Sequence, residues 1–277
     1  PYNACELKTY EIAIAGTGTY TEFHGGNVED ALAAMATSMD RINGIYERDF
    51  GITFTIVEDN DQIIYTDSGS DPYTSGNTGA MIGEVQENID QEIGNDNYDI
   101  GHVFDGTNAG GLASLGVVCA QGSKARGVTT GSSPVNDPFD LRVLSHEIGH
   151  QFSATHTFNN ACGGNRTDAT AVEPGSGTTP MSYAAICPPN VQNFTDEHFH
   201  GISMEQIGLY IDNPLVTCQT TSEIMNTAPV LEDLPDLVFI PASTPFSLAA
   251  NATDFDDDVL TYCWEQMDNE ITSQPPV

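Results

Sequence analysis

The segment Ser145 to His156, SHEIGHQFSATH, restricts the fold of this chain more than any other stretch. On a helix of 3.6 residues per turn, His146 and His150 stand one turn apart on one face, so both imidazoles can reach a single ion. Glu147 projects beside them. His156 can supply a third ligand if the helix ends and the chain turns back. A catalytic zinc typically takes three protein ligands and leaves a fourth position for water, and a neighbouring carboxylate is placed to take that water's proton. Three histidines and one glutamate thus define a candidate Zn²⁺ centre with Glu147 as its base.

The text around this motif alternates between strand and helix patterns. LKTYEIAIA (7–15) reads as a strand, and Asn27 can cap a helix from Val28 to about Arg48 on which Ala31, Met35, Met39, Ile42 and Ile45 share one face. GITFTIVED alternates as a second strand, and a helix is predicted near 80–93. YDIGHVFD and GLASLGVVC read as adjacent strands, and Pro138 to Phe152 as the motif helix with Asp137 as its cap. A last helix is expected over Ser203–Ile211. This order predicts a mixed α/β (α+β) domain over residues 1–220. From 227 to 277 the pattern becomes β-rich runs between turn residues, which reads as part of a β-sandwich module that the chain does not complete.

Composition excludes some function classes. Lys and Arg total 7 against 40 for Asp and Glu, a formal net charge of -33, so no basic patch is available for nucleic acid or an anionic membrane. No apolar run approaches the roughly 20 residues that span a bilayer, and the N-terminus has the character of a processed, mature chain. Six cysteines at wide spacing, none in a C-x-x-C pair, fit disulfides in an oxidising compartment, and a secreted, extracellular monomer is expected.

The motif resembles the metzincin signature HExxHxxGxxH, with Ser153 where that clan usually has Gly. Ser153 must either accept a left-handed turn at a cost of about 1 kcal/mol or give the turn another shape. TTPMSY, with Met181, resembles the clan's Met-turn beneath the metal. The order of the blocks, and EPGSGTTPMSYAAIC, are most similar to bacterial relatives of the reprolysin (adamalysin) group. That group usually has Asp directly after the third histidine, where this chain has Thr157. Met181-Ser182-Tyr183 is also similar to the turn of astacins and serralysins, which implies for Tyr183 a zinc-ligand or oxyanion-stabilising role. Simple packing is the alternative.

The resemblance implies a mixed five-stranded sheet, bridges Cys119–Cys218 and Cys162–Cys187, and leaves Cys5 and Cys263 for a third. It also implies that a protein or peptide substrate adds as an extended strand to the rim formed by Gly111, Leu112, Ala113 and Ser114. The expected activity is zinc-dependent hydrolysis of peptide bonds.

In the β-rich module, Asp254, Asp256 and Asp258 lie in ATDFDDDVLTY, similar to loops of cadherin-like modules. They can converge on one Ca²⁺ or form an exposed acidic turn. The module supports a rival class, a secreted calcium-binding adhesion protein. The intact ligand set and base favour the peptidase. His24, His102, His198 and His200 lack ligand spacing and are expected to be structural or exposed.

Overall fold

The computed structural model of the chain describes residues 6–235 and 237–269. Its organising strand is β1 (Glu6–Gly16). Tyr10, Ile12 and Ile14 enter one apolar cluster and Ala13 and Ala15 another, all fully buried. A strand buried on both faces lies at the centre of a sheet covered by helices on each side. β2 (Ile52–Ile56) pairs parallel with β1 from Lys8 to Ile12, and β3 (Ile100–Asp105) pairs parallel with it from Ile12 to Gly16. β5 (Gly127–Gly131) lies parallel to β3, and β4 (Ala109–Ala113) runs antiparallel to β5 at the sheet's edge. β6 (Thr220–Glu223) joins the start of β1 antiparallel. The sheet is therefore mixed and mainly parallel, in the order β2-β1-β3-β5-β4, with β6 as a sixth strand beyond the five expected.

One face carries α2 (Val28–Phe50), where Asn27 Oδ1 accepts from the Asp30 amide as the cap. Ala31, Met35, Met39, Ile42 and Ile45 are all buried, as their spacing predicts. The motif helix packs on the same face. It comprises α4 (Asp137–Phe139), a π turn over Asp140–Leu144 and α5 (Ser145–Gln151). Tyr46 Oη donates to the Ser145 carbonyl at 2.8 Å, and Tyr46, Phe50, Phe54, Phe152 and Phe199 meet edge to face or tilted. Each such ring contributes up to about 3 kcal/mol by burial, so the site's helix is held from behind by α2. On the other face α3 (Thr78–Ile89) presses Met81, Val85 and Ile89 against Ala13, Ala15 and Val103. α6 (Gly201–Ile211) closes the domain against α2 and the motif helix. A short α1 (Gly18–Phe23) follows β1.

Several sequence expectations need correction. GLASLGVVC is a strand only to Ala113, because Gly116 (φ 62°) and Cys119 (φ 65°) take the chain out of extended conformation. The motif helix is entered through Asn136 (φ 62°), not capped by Asp137, with Pro138 in the first turn. α3 starts at Thr78 and continues through a π turn over Asp90–Gly94. Neither α1 nor β5 was expected. The bridges Cys119–Cys218 and Cys162–Cys187 are formed; a Cys5–Cys263 pair lies outside the described residues.

After β6, the described residues pair only as β7 (Val230–Leu231) with β8 (Ala252–Thr253). Phe239, Phe246, Phe255 and Val259 are exposed, since no second layer covers them. Among the described residues, no helix is long and apolar enough to cross a membrane.

Candidate metal centre and active site

The motif histidines come together as their spacing predicts. His150 Nε2 lies 3.1 Å from His156 Nε2, which lies 3.2 Å from His146 Nε2. Every Nδ1 faces a main-chain carbonyl: Pro180 at 2.7 Å from His146, Ala154 at 2.7 Å from His150 and Asn165 at 2.6 Å from His156. Carbonyls only accept, so each Nδ1 carries the proton and each neutral Nε2 presents a lone pair. Burial, reinforced by the neighbouring rings, keeps His146 well below the ordinary histidine range and His150 down at about 4; burial also lowers His156. Three lone pairs converging at this distance repel one another unless a cation lies among them. The spacing also approaches the roughly 3.3 Å between two nitrogens each about 2.05 Å from one tetrahedral zinc. The donor set and its oriented tautomers fit zinc.

The turn that delivers His156 has the shape the clan builds with glycine. Ser153 has φ 76°; its amide donates to the His150 carbonyl (2.8 Å) and the Ala154 amide to the Gly149 carbonyl (2.9 Å). These bonds form a Schellman motif with Ser153 at its left-handed position. Of the two possibilities for Ser153, the structure adopts the left-handed turn.

Met181 is fully buried beneath the helix. A Cβ added at Gly149 would come within 2.4 Å of Met181 Sδ, so a glycine between the two motif histidines is what lets the methionine approach. The Met181 carbonyl accepts from the Thr157 amide (3.1 Å), tying the turn to the strand-like segment after His156.

Glu173 went unnoticed in the sequence. Buried, it accepts from the amides of Thr178 (2.8 Å) and Thr179 (3.1 Å) and from the hydroxyls of Thr157 and Thr179. Reprolysins usually have Asp directly after the third histidine; here Thr157 stands at that place, and its hydroxyl donates to Glu173. Its only sequence signal was its place in EPGSGTTP, upstream of the Met-turn.

Glu147 packs against the edge strand. A Cβ at Gly111 would meet its carboxylate at 2.4 Å, so β4 approaches only because residue 111 is glycine. Glu147 Oε2 is buried without a hydrogen-bond partner among the described residues, and burial pushes the carboxyl up to about 8; a cation held by the histidines would oppose that shift.

Two cavities meet here, sharing Gly111, His146, Glu147 and Tyr183. One, of about 380 Å³, includes all three histidines with Leu112 and Ala113; the other, of about 570 Å³, runs from His146 and Glu147 toward Pro138, Phe139, Arg142 and Val143. Gly111, Leu112 and Ala113 lie on β4, whereas Ser114 is past its end and donates its amide to the Arg126 carbonyl (3.0 Å). The strand directly before the motif helix is β5, so the expected rim strand is one step earlier in sequence. Tyr183 packs on His156 and Phe158, with ring centroids 4.8 and 4.4 Å away, and burial raises its phenol.

Asp254, Asp256 and Asp258 do not converge on a common point. Asp254 Oδ1 accepts from the amides of Asp256 (2.8 Å) and Asp258 (3.1 Å), and Asp256 Oδ2 from the Thr227 amide (2.6 Å). It is a largely exposed acidic turn in which Asp254 and Asp256 accept from main-chain amides. Among the described residues, the three-membered groups of potential ligands are the histidine centre and His198, Cys263 and Glu265. In the second group Glu265 accepts from the first amide of α6, Gly201. His102 is fully buried, with Nδ1 donating to Gln151 Oε1 (2.9 Å) and Nε2 facing Thr129 Oγ1 (2.8 Å).

The chain matches the family model described as Metallo-peptidase family M12B Reprolysin-like over residues 6–208. No curated protein sequence matches it. Among solved structures it is similar to a chain described as "Structure of a chaperone-substrate complex", with 14% identity and a TM-score of 0.39, over 74% of this chain and 36% of that one. It thus spans about a third of that chain's length.

Proposed function

The chain belongs to the reprolysin-like M12B metallopeptidases, and from that premise we propose a secreted zinc-dependent endopeptidase with His146, His150 and His156 as ligands and Glu147 as general base. The observation that carries this reading is the convergence of three Nε2 lone pairs, each imidazole fixed by an Nδ1–H to a carbonyl. When bound there, zinc supplies Lewis acidity to a scissile carbonyl and lowers the pKa of a water.

The rest is the work of the chain's own side chains. Glu147, held against Gly111 with one oxygen unpartnered, takes the proton from the attacking water and returns it to the leaving amine. A substrate lies extended along β4 as an added strand, where main-chain hydrogen bonds from Gly111 to Ala113 give affinity with little sequence preference. Ser114, turned away, takes no part in that ladder. Tyr183 forms the wall beside His156 and is positioned to face a developing oxyanion.

Two disulfides favour an oxidising, extracellular setting. We treat residues 1–220 as the catalytic domain and 227–277 as a separate module. Glu147→Gln is the test: zinc stoichiometry and folding should be retained while casein hydrolysis falls at least about a hundredfold. Retained hydrolysis would remove Glu147 from the mechanism.

A further inference from the structure

Acidic side chains outnumber basic ones almost sixfold in this chain, so a cation without a carboxylate is conspicuous. Lys8, Arg41, Arg48 and Arg166 each have an acidic partner within 4.0 Å. Lys124 donates to the Tyr98 carbonyl and lies over that ring, and Arg126 is exposed. Arg142 differs from all of these. It is half-buried, its Nε is inaccessible to solvent and has no hydrogen-bond partner among the described residues, and it lines the 570 Å³ cavity next to Glu147.

The other residues lining this cavity are almost all uncharged. Phe139, Val143 and Ile186 give apolar wall, Thr130 and Ser132 neutral hydroxyls, and Glu147 is the one anion among the lining residues. Glu147 does not neutralise Arg142, since no ion pair joins them and Glu147 Oε2 is itself unpartnered. The π turn over Asp140–Leu144 puts Arg142 one turn ahead of His146, so the guanidinium and the metal centre share one wall. A planar fork of donors in a partly dry cavity selects a planar acceptor, above all a carboxylate. A carboxylate there would pair with a guanidinium that has no acidic partner within 4.0 Å among the described residues, whereas an apolar side chain would leave that charge unpaired.

We infer that Arg142 makes this cavity select an acidic side chain, Asp or Glu, on a residue flanking the scissile bond. The inference rests on the peptidase reading above and adds the substrate class. It also gives the strongly acidic chain a local exception to its own charge, placed where an acidic substrate must be accepted.

The full chain, saturated with zinc, is tested on a random peptide library, and the cut products are sequenced. Asp and Glu should be enriched at one position next to the cut. Matched peptides differing only as Glu or Gln at that position should then differ by about tenfold or more in kcat/KM. In Arg142→Gln the Glu/Gln ratio should fall toward one, in Arg142→Lys part of it should remain, and Arg142→Glu should shift preference toward Lys. Because the readout is a ratio within each variant, loss of overall rate does not mimic the effect. Should Arg142→Gln fail to fold, the wild-type ratio and Arg142→Lys decide the matter. A wild-type ratio near one, or a ratio unmoved by Arg142→Gln, overturns the inference while leaving the peptidase reading intact. If no peptide is cut in a chelator-sensitive way, the peptidase reading fails and this one with it.

Discussion

Phe152, Phe158 and Met181 around the metal centre are fully buried, whereas Phe239, Phe255 and Val259 in the tail are 88, 86 and 95% exposed. The residue types are alike, and their fates are opposite. Around the centre, sheet, motif helix and Met-turn form successive layers, so apolar side chains have an opposing surface, and buried polar groups such as Glu173 and the His146 Nδ1 find partners. Past β6 the described chain forms one two-residue pairing, and apolar side chains such as Phe239, Phe255 and Val259 stay in solvent. Hydrophobicity alone does not bury a residue; a second layer does. The tail meets the domain through polar contacts that include Glu265 on the Gly201 amide, and Asn269 Nδ2 on the carbonyls of Asp168 (3.0 Å) and Ala169 (3.2 Å).

Metal removal should act on the first region alone and give the largest effect. A ligand held at a thousandfold over its Kd stabilises the folded state by about 4 kcal/mol. Chelation should therefore lower the denaturation midpoint of the catalytic domain by that equivalent and leave proteolysis within 224–269 at its starting rate. Equal sensitivity of both regions would remove the contrast.

Acid provides the next test. His102 is enclosed between β3 and the motif helix, and burial, only partly countered by its hydrogen bond to Gln151, brings it down to about 4 from 6.5. The folded state refuses a proton that the unfolded state accepts. Its stabilising contribution is thus complete above pH 6.5 and is lost as pH falls through 4, about 3 kcal/mol in all. In urea titrations at saturating zinc, His102→Gln should flatten that part of the pH profile; an unchanged slope would assign the acid sensitivity elsewhere.

Smaller still is the effect of filling the space beneath the helix. Gly149→Ala should cost about 2 kcal/mol, because the new methyl must displace Met181 from a filled position. With Met181→Ala already present the same change should cost much less, a coupling that a double-mutant cycle measures directly. Additive costs would mean that Met181 does not limit the helix.

These tests use residues that differ in how far sequence exposed them. The histidines and Glu147 were legible because their spacing is local and helical geometry converts it directly into a shared face. The α2 face was legible for the same reason. β5 was not: GVTTG is short, is buried on both faces and so lacks alternation, and its Gly127 is required by the closeness of His102 and Gln151, which are distant in sequence. Glu173 and Arg142 escaped notice similarly, since a buried carboxylate or an unpaired guanidinium is defined by what the fold does or does not bring to it. The tail differs again. Its β-rich runs are plain in sequence, yet a sandwich also needs an opposing sheet, and the described residues do not supply one.

The smallest effect concerns the contact that joins the two regions. His198 Nε2 lies 3.6 Å from Glu265 Oε1, and that hydrogen-bonding carboxylate raises the imidazole above its ordinary value against the opposing effect of burial. A raised histidine contributes fully below about pH 6.5, and the contribution is lost as pH rises through its folded-state value. With His198 about two-fifths exposed, solvent screening keeps this below about 1 kcal/mol. Limited proteolysis of the intact chain should therefore cut within 224–269 somewhat faster at pH 8 than at pH 6, after correction for the protease's own pH profile. Glu265→Gln should remove that difference and leave zinc binding and casein hydrolysis unchanged. A pH-dependent loss of hydrolysis in Glu265→Gln would mean that the tail supports the active site, and the two regions would then have to be treated as one cooperative unit.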